Sequence, residues 1–186
     1  MIFALLYGLG LRVGEVCRLQ GQDVDLDHQL LVIRNSKFGK SRLVPFGPRL
    51  GQAISDYLQY RAAGGDAIPP ECPLFSFDKE KRRPPRPTTI SAVFHHLIVK
   101  LNLAIPTGVA PPHLHCLRHS FAVGTLLRWY RAGVDPLSRL LHLSTFLGHV
   151  SPSSTAVYLT ITPELLECAS QRFAHFAAGS RKEGLR

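Results

Sequence analysis

The chain has 186 residues, of which 45% are hydrophobic, and this excludes a disordered chain because such a sequence can bury a real core. Lys and Arg number 22 against 13 Asp and Glu, and the net charge of +9 favours a polyanionic partner, either nucleic acid or an anionic membrane surface. No apolar run reaches the roughly 20 residues of a membrane-spanning helix. The opening MIFALLYGLGLR lacks the basic start of a signal peptide, and we therefore expect a cytoplasmic protein.

Helical and strand patterns alternate in the first half of the chain. Apolar residues at helical spacing predict two short helices, over 1–9 and 12–20. Residues 23–46 change to the period of strands, with two β-rich runs separated by the polar SKFGK, and predict a small antiparallel hairpin. An amphipathic helix is predicted over 50–65, where two glycines end it. The proline-rich, basic stretch 66–88 predicts a solvated loop without a packed core.

The second half of the chain is predicted to be helical. Four segments carry helical periodicity, with turns between them. They are 88–102, 115–133, the segment around 143–149, and 161–179. The fold class that these elements predict is α+β, mainly α, with a small antiparallel β-sheet near the N-terminal third.

Several residues along the chain supply the groups that cleavage of a phosphodiester requires. Negative charge grows on the non-bridging oxygens, so two guanidinium groups are suited to bind them. A tyrosine hydroxyl needs a base to attack, a neutral imidazole can take its proton, and a lysine can protonate the departing oxygen. Taken singly, these residues have simpler interpretations, such as a surface ion pair between Arg12 and Glu15. Together the chain offers Arg12, Lys37, His115, Arg118, His149 and Tyr158.

Four motifs in the chain resemble those of one protein family. They are GLRVGEVCRL from Gly10, the hairpin VIRNSKFGKSRLVPFG, the box HCLRHSFA, and LGHVSPSSTAVY. Their order and spacing resemble the tyrosine recombinases, or phage integrases, and the resemblance covers nearly the whole chain as the catalytic domain. The catalytic residues that the resemblance implies are Arg12, Glu15, Lys37, His115, Arg118, His149 and Tyr158.

The resemblance implies a site-specific DNA recombinase or integrase in which Tyr158 is the nucleophile and Glu15 supports the active site. Tyr158, carried by a short helix that starts in SPSSTAV, would attack the scissile phosphate, form a 3′-phosphotyrosine and release a 5′-hydroxyl. The 5′-hydroxyl of a partner strand would then attack in turn. Bond energy is kept, so we expect no metal, no ATP and no other cofactor. Lys37 takes the place of the family's hairpin lysine, and Lys40 stays open as the alternative general acid.

Double-stranded DNA is the partner that the resemblance and the basic surplus both favour. The terminal helix predicted over 162–179 is expected to dock into a neighbouring copy, which would make a homo-oligomer on DNA. No membrane partner is expected. The predicted DNA-binding residues lie on the hairpin and in the basic loop: Lys40, Arg42, Lys81, Arg82 and Arg83.

The resemblance also predicts the domain organisation, with one catalytic domain over 1–179 and a tail at 180–186. The family's N-terminal helical domain is expected to be absent, because Met1 lies eleven residues before Arg12. The chain would then be a fragment, a split gene product, a transposon-derived copy or an inactive DNA-binding remnant. A type IB topoisomerase, which shares this chemistry, is a further alternative. A zinc cluster is disfavoured because its candidate ligands fit no usual tetrahedral spacing; they are His113, His115, Cys116 and His119.

Overall fold

The computed structural model describes residues 1–36, 39–65, 67–78, 80, 83–159, 167 and 170. The chain divides into two compact units, Met1–Arg118 and His119–Arg186. The helices of the described residues are α1 (Ile2–Gly8), α2 (Val13–Arg18), α3 (Pro48–Ala63), α4 (Pro87–Leu101), α5 (Leu114–Arg131), α6 (Pro136–Leu147) and α7 (Ser153–Ala156). The strands are β1 (Val24–Asp25), β2 (Leu30–Ile33) and β3 (Arg42–Pro45), and 3₁₀ turns lie at Gly21–Asp23 and Val157–Leu159. This confirms the predicted fold class.

Two short helices begin the first unit, as the sequence predicted. The apolar α1 buries Leu5 and Leu6. Gly10 then adopts a left-handed φ of 60°, which glycine reaches at little cost. Helix α2 buries Val16 and Cys17. The turn at Gly10 therefore lets two consecutive helices direct their apolar sides into the core of the first unit.

A three-stranded antiparallel sheet follows, in the order β1-β2-β3. Strand β2 pairs with β3 so that Leu31 lies opposite Val44 and Ile33 opposite Arg42. Leu31, Ile33 and Val44 are buried, whereas Leu43 is exposed. This is the alternation expected of a sheet with one covered face. The small antiparallel sheet predicted from the strand period is confirmed.

The prediction of a loop without a packed core over 66–88 is wrong for its middle part. Leu74 and Phe75 are buried, and the backbone N–H of Leu74 donates to the carbonyl of Leu19 at 2.7 Å. The ring of Phe75 lies 5.4 Å from that of Tyr57 on α3. The polar and proline-rich composition of the stretch concealed this apolar pair. Burial of the two side chains removes apolar surface from water and so stabilises the fold.

The second unit has its own small hydrophobic core. Ala122 and Leu126 of α5, Leu143 and Leu147 of α6, and Tyr158 form one buried cluster. The nucleophile predicted from the sequence is therefore part of this core rather than a surface residue.

Helix α6 is longer than the segment that the sequence predicted around 143–149. The Asp135 side chain caps it by accepting from the backbone N–H groups of Leu137 and Ser138, which satisfies donors that have no partner inside the helix. Gly148 ends it with a left-handed φ of 70°. The helix predicted over 161–179 lies outside the described residues, apart from 167 and 170. None of the described helices is long and apolar enough to cross a membrane.

Candidate catalytic site

Arg12 stands at the start of α2 and is held by Glu15, one helical turn later. The Glu15 carboxylate accepts a hydrogen bond from the backbone N–H of Arg12 at 2.9 Å and another from its Nη1 atom at 3.0 Å. The first bond satisfies an amide that α2 itself cannot pair, and the second fixes the guanidinium. The spacing in GLRVGE therefore orients one of the predicted catalytic arginines.

Glu15 is a buried carboxylate, which rules out the simpler interpretation of a surface ion pair. Its side chain is 1% exposed, and Arg42 donates to both of its oxygens, from Nη1 at 2.8 Å and from Nη2 at 3.0 Å. Ser36 donates its hydroxyl to the same carboxylate at 2.5 Å. Burial alone would raise the pKa of Glu15, but the hydrogen bonds from Arg42 and Ser36, the charge of Arg42 and the Arg12 amide lower it to about 2. Glu15 is therefore ionised at neutral pH.

An open cleft of about 540 Å³ lies beside this cluster in the first unit. Arg12, Glu15 and His115 line it, so the structure brings three of the predicted catalytic residues to one place. Sequence analysis did not select three other polar residues of its lining, Arg18, Asn35 and Ser36. The complete lining is Arg12, Val13, Gly14, Glu15, Arg18, Asn35, Ser36 and His115.

Arg118 is the second predicted arginine, and it is anchored from within the first unit. It is 1% exposed, and its Nη1 atom donates to the carbonyl of Gly10 at 2.6 Å. Gly10 opens the motif that contains Arg12, although 108 residues separate it from Arg118 along the chain. The motif therefore positions both arginines, one through a carboxylate and the other through a backbone carbonyl.

Tyr158, in the second unit, lies on the 3₁₀ turn that follows the short helix α7. A short helix does form within SPSSTAV, but it ends at Ala156, and the turn after it carries Tyr158. The residue is 5% exposed, and its hydroxyl lies 2.9 Å from Nδ1 of His119. His119 entered the sequence analysis only as a candidate zinc ligand. It follows His115 by four residues, one turn of a helix, and this spacing was the signal that could have indicated a functional role.

His149, the second predicted histidine, also belongs to the surroundings of Tyr158. It follows Gly148 at the end of α6, and its backbone N–H donates to the carbonyl of Ser144. The imidazole stacks on the Tyr158 ring with centroids 6.4 Å apart and 21° between the planes. Its Nδ1 atom lies 2.6 Å from the hydroxyl of the fully buried Thr155. Thr155 therefore restrains His149 next to the tyrosine.

The predicted DNA-binding residues differ in position. Lys40 and Arg83 are exposed, and their DNA contacts stay predictions. Arg42 was predicted to contact DNA, but its side chain is 11% exposed and directs both terminal nitrogens to Glu15. It shares the covered side of β3 with Val44, and the strand alternation could have indicated this. Three further predicted residues lie outside the described part of the chain: Lys37, Lys81 and Arg82.

The four residues considered as zinc ligands have different neighbours. Cys116 Sγ lies 3.0 Å from Nδ1 of His113, His119 lies beside Tyr158, and His115 lines the cleft. Among the described residues, no group of three or more His, Cys, Asp or Glu side chains is arranged to hold a metal ion.

Comparisons with known sequences and structures identify the class of protein to which this fold and these side chains belong. The model of the phage integrase family matches residues 1–164. The putative integrase/recombinase y4rB of Sinorhizobium fredii is 41% identical over 171 residues, which cover 92% of this chain and 54% of that protein. The chain belongs to the phage integrase family, as its motifs predicted.

Solved structures share the fold of this chain. The crystal structure of XerA recombinase has a TM-score of 0.69 and 25% sequence identity, over 91% of this chain and 54% of that one. The Tn1549 transposon integrase in complex with transposon right-end DNA has a TM-score of 0.60 and 23% identity, over 92% of this chain and 57% of that one. The chain spans about half the length of the curated relatives it matches.

Proposed function

We propose that the chain is the catalytic part of a site-specific DNA recombinase that cleaves and rejoins strands through a 3′-phosphotyrosine on Tyr158. The observation that carries the proposal is the cleft of the first unit, where Arg12 and His115 form part of one wall and a buried, ionised carboxylate holds Arg12 in place. A guanidinium that is held in place beside an open cleft is suited to bind a phosphodiester.

The two arginines would stabilise the charge that develops on the scissile phosphate. The Arg12 side chain is 25% exposed and is restrained by Glu15. It therefore needs little reorganisation when a phosphate enters the cleft. Arg118 is buried and donates to the carbonyl of Gly10, and we propose that it contacts the phosphate when DNA binds. Preorganised donors of this kind are each worth about 10²–10³-fold in rate.

The proposed reaction exchanges one phosphodiester for another. The Tyr158 oxygen forms a bond to phosphorus while the bond to the 5′-oxygen breaks. The phenolic proton passes to one of the two predicted catalytic histidines, His115 or His149, and the departing oxygen receives a proton from the hairpin lysine, Lys37 or Lys40. The 5′-hydroxyl of a partner strand then attacks the phosphotyrosine and releases Tyr158. One P–O bond forms for each that breaks, so the reaction needs no nucleotide hydrolysis.

Double-stranded DNA is the proposed partner, and the net charge of +9 supports it. Lys40 and Arg83 are exposed, and we propose that they contact the backbone phosphates. We extend the proposal to Lys81 and Arg82, which are neighbours of Arg83 in the basic loop. A homo-oligomer on DNA, joined through segment 162–179, belongs to the same proposal, as does a cytoplasmic location. We assign Arg42 to the support of Glu15 instead of to DNA.

The proposal is tested with nicked suicide duplexes of randomised sequence, in which the short strand downstream of the cleaved bond diffuses away and traps the adduct. Incubation followed by a denaturing gel should show a covalent protein–DNA species, and sequencing of the captured DNA identifies the target. Tyr158→Phe should abolish the adduct, because it removes the nucleophilic oxygen, and should keep DNA binding. Tyr60→Phe, at an exposed tyrosine, is the matched control and should form adducts normally. Binding without any adduct from the wild-type chain would instead indicate a DNA-binding remnant.

A further inference from the structure

The hydroxyl of the proposed nucleophile has a specific partner that the family resemblance did not assign. Nδ1 of His119 lies 2.9 Å from the Tyr158 hydroxyl, and the two rings meet edge to face with centroids 5.4 Å apart and 63° between the planes. The residues are 39 positions apart in the chain, so this contact is made by the packing of the second unit and not by local sequence.

His119 and His149 have distinct relations to the phenol. The His149 imidazole stacks on the face of the tyrosine ring and has its Nδ1 at the Thr155 hydroxyl. The His119 imidazole has its Nδ1 at the phenolic oxygen itself. A stacked ring limits where the tyrosine ring can lie but leaves the direction of the O–H bond undetermined. A hydrogen bond at that oxygen restricts both the position of the ring and the direction of the O–H bond.

The apolar surroundings of Tyr158 make the hydrogen bond from its hydroxyl consequential. Tyr158 packs against Ala122, Leu126, Leu143 and Leu147, none of which has a side-chain hydrogen-bonding atom. A buried phenol that loses a hydrogen-bond partner carries the desolvation cost of its hydroxyl. A neutral imidazole with its proton on Nε2 can accept from the phenol through Nδ1, which keeps the nucleophile protonated and in one orientation.

We propose, on the basis of the function proposed above, that His119 is a positioning residue for the nucleophile. Its Nδ1 atom accepts the phenolic hydrogen bond and confines Tyr158 to the orientation from which attack begins. Misplacement of a reacting group by about 1 Å costs about a hundredfold in rate. Loss of this hydrogen bond therefore slows formation of the phosphotyrosine and leaves DNA binding unchanged, because His119 acts through Tyr158.

Two isosteric substitutions separate a positioned hydrogen bond from general packing. Asn presents an amide atom close to the position of Nδ1, whereas the longer Gln places its amide near the position of Nε2. We expect His119→Asn to keep the adduct rate within about threefold of wild type, and His119→Gln and His119→Leu to lower it by at least about tenfold. The rate is measured in single turnover at saturating DNA on the captured suicide duplex. The Kd for that DNA should stay within about twofold in all three variants, and His142→Asn, at an exposed histidine of α6, is the control.

Several results would overturn the inference. Equal rates for Asn and Gln would show that the place of the acceptor atom is irrelevant, and an Asn variant as slow as Leu would show that His119 acts by taking the proton. A Leu variant that reacts faster than wild type would show that the contact restrains the tyrosine instead of preparing it. If thermal unfolding shows the Leu variant to be misfolded, the Asn and Gln pair decides, since both are polar and similar in volume. A wild-type chain without adduct contradicts the proposed function itself, whereas a normal wild type with unaffected variants contradicts only the role of His119.

Discussion

The surroundings of Arg12 in the first unit and of Tyr158 in the second fix a reactive side chain by opposite physical means. Arg12 is held by an ionised carboxylate that two further residues, Ser36 and Arg42, hydrogen-bond. Tyr158 is held by apolar packing, a stacked imidazole and a hydrogen bond between its hydroxyl and Nδ1 of His119. A charged pair thus orients the proposed phosphate-binding cation, whereas packing and hydrogen bonding orient the proposed nucleophile.

The ion pair of Glu15 and Arg42, which supports Arg12, should be more sensitive to the loss of one residue than the packing around Tyr158. Glu15→Gln leaves the guanidinium of Arg42 largely buried without its counter-charge, and breaking a buried ion pair from one side costs about 3–5 kcal/mol. We expect a loss of about 3 kcal/mol in the free energy of unfolding, measured with urea, and a large loss of adduct formation. Glu71→Gln, at an exposed carboxylate, should be neutral. A Glu15→Gln variant as stable as wild type would show that the comparison is wrong.

Acid should weaken the contacts of Glu15 with Arg42 and Ser36, because they depend on an ionised carboxylate. The pKa of Glu15 falls from 4.5 to about 2 in the folded protein, where burial is outweighed by the bonds from Arg42 and Ser36. A carboxyl with a depressed folded-state pKa contributes stability that is complete above about pH 4.5 and is lost as the pH falls toward 2. At 1.36 kcal/mol for each pKa unit, the contribution is about 3 kcal/mol. Urea unfolding over this pH range should show the loss in the wild type, and the profile of Glu15→Gln should lack it. If the stability of both proteins fell equally with pH, Glu15 would not be the group that causes the loss.

The smallest expected effects are those of replacing two arginines of the first unit. Arg42 is bonded to Glu15, and Arg18 lines the cleft. Arg42→Gln should lower the free energy of unfolding by about 2 kcal/mol and leave the salt dependence of DNA binding unchanged. Arg18 is exposed in the lining of the cleft, and we expect it to contact one backbone phosphate of DNA. Arg18→Gln should therefore leave stability unchanged but reduce the slope of log K against log salt by about 0.9. Fluorescence anisotropy of a labelled duplex across a salt series measures the slope. The reverse pattern would return Arg42 to the DNA-binding residues and remove Arg18.

Sequence reasoning succeeded where neighbours in the chain decide the outcome. The three-residue spacing of Arg12 and Glu15 predicted that they are neighbours at one helix, and Arg12 is indeed the residue that caps α2. The change of period after residue 23 predicted the sheet. It failed where distant residues decide: Leu74 and Phe75 found a place in the core although their stretch is rich in proline and charge. Arg42 was assigned to DNA because it is basic and lies on the hairpin, while the alternation of β3 already placed it beside Val44.

The sequence by itself predicted the fold class, most of the described helices and the antiparallel sheet, and the family, because these follow from short-range periodicity and from motifs. Only the tertiary structure decided that Glu15 is buried and ionised, that Arg118 is anchored at Gly10, and that His119 lies at the hydroxyl of Tyr158. Burial and hydrogen bonding between distant residues depend on how the elements pack, and the same local pattern is compatible with an exposed or a buried side chain.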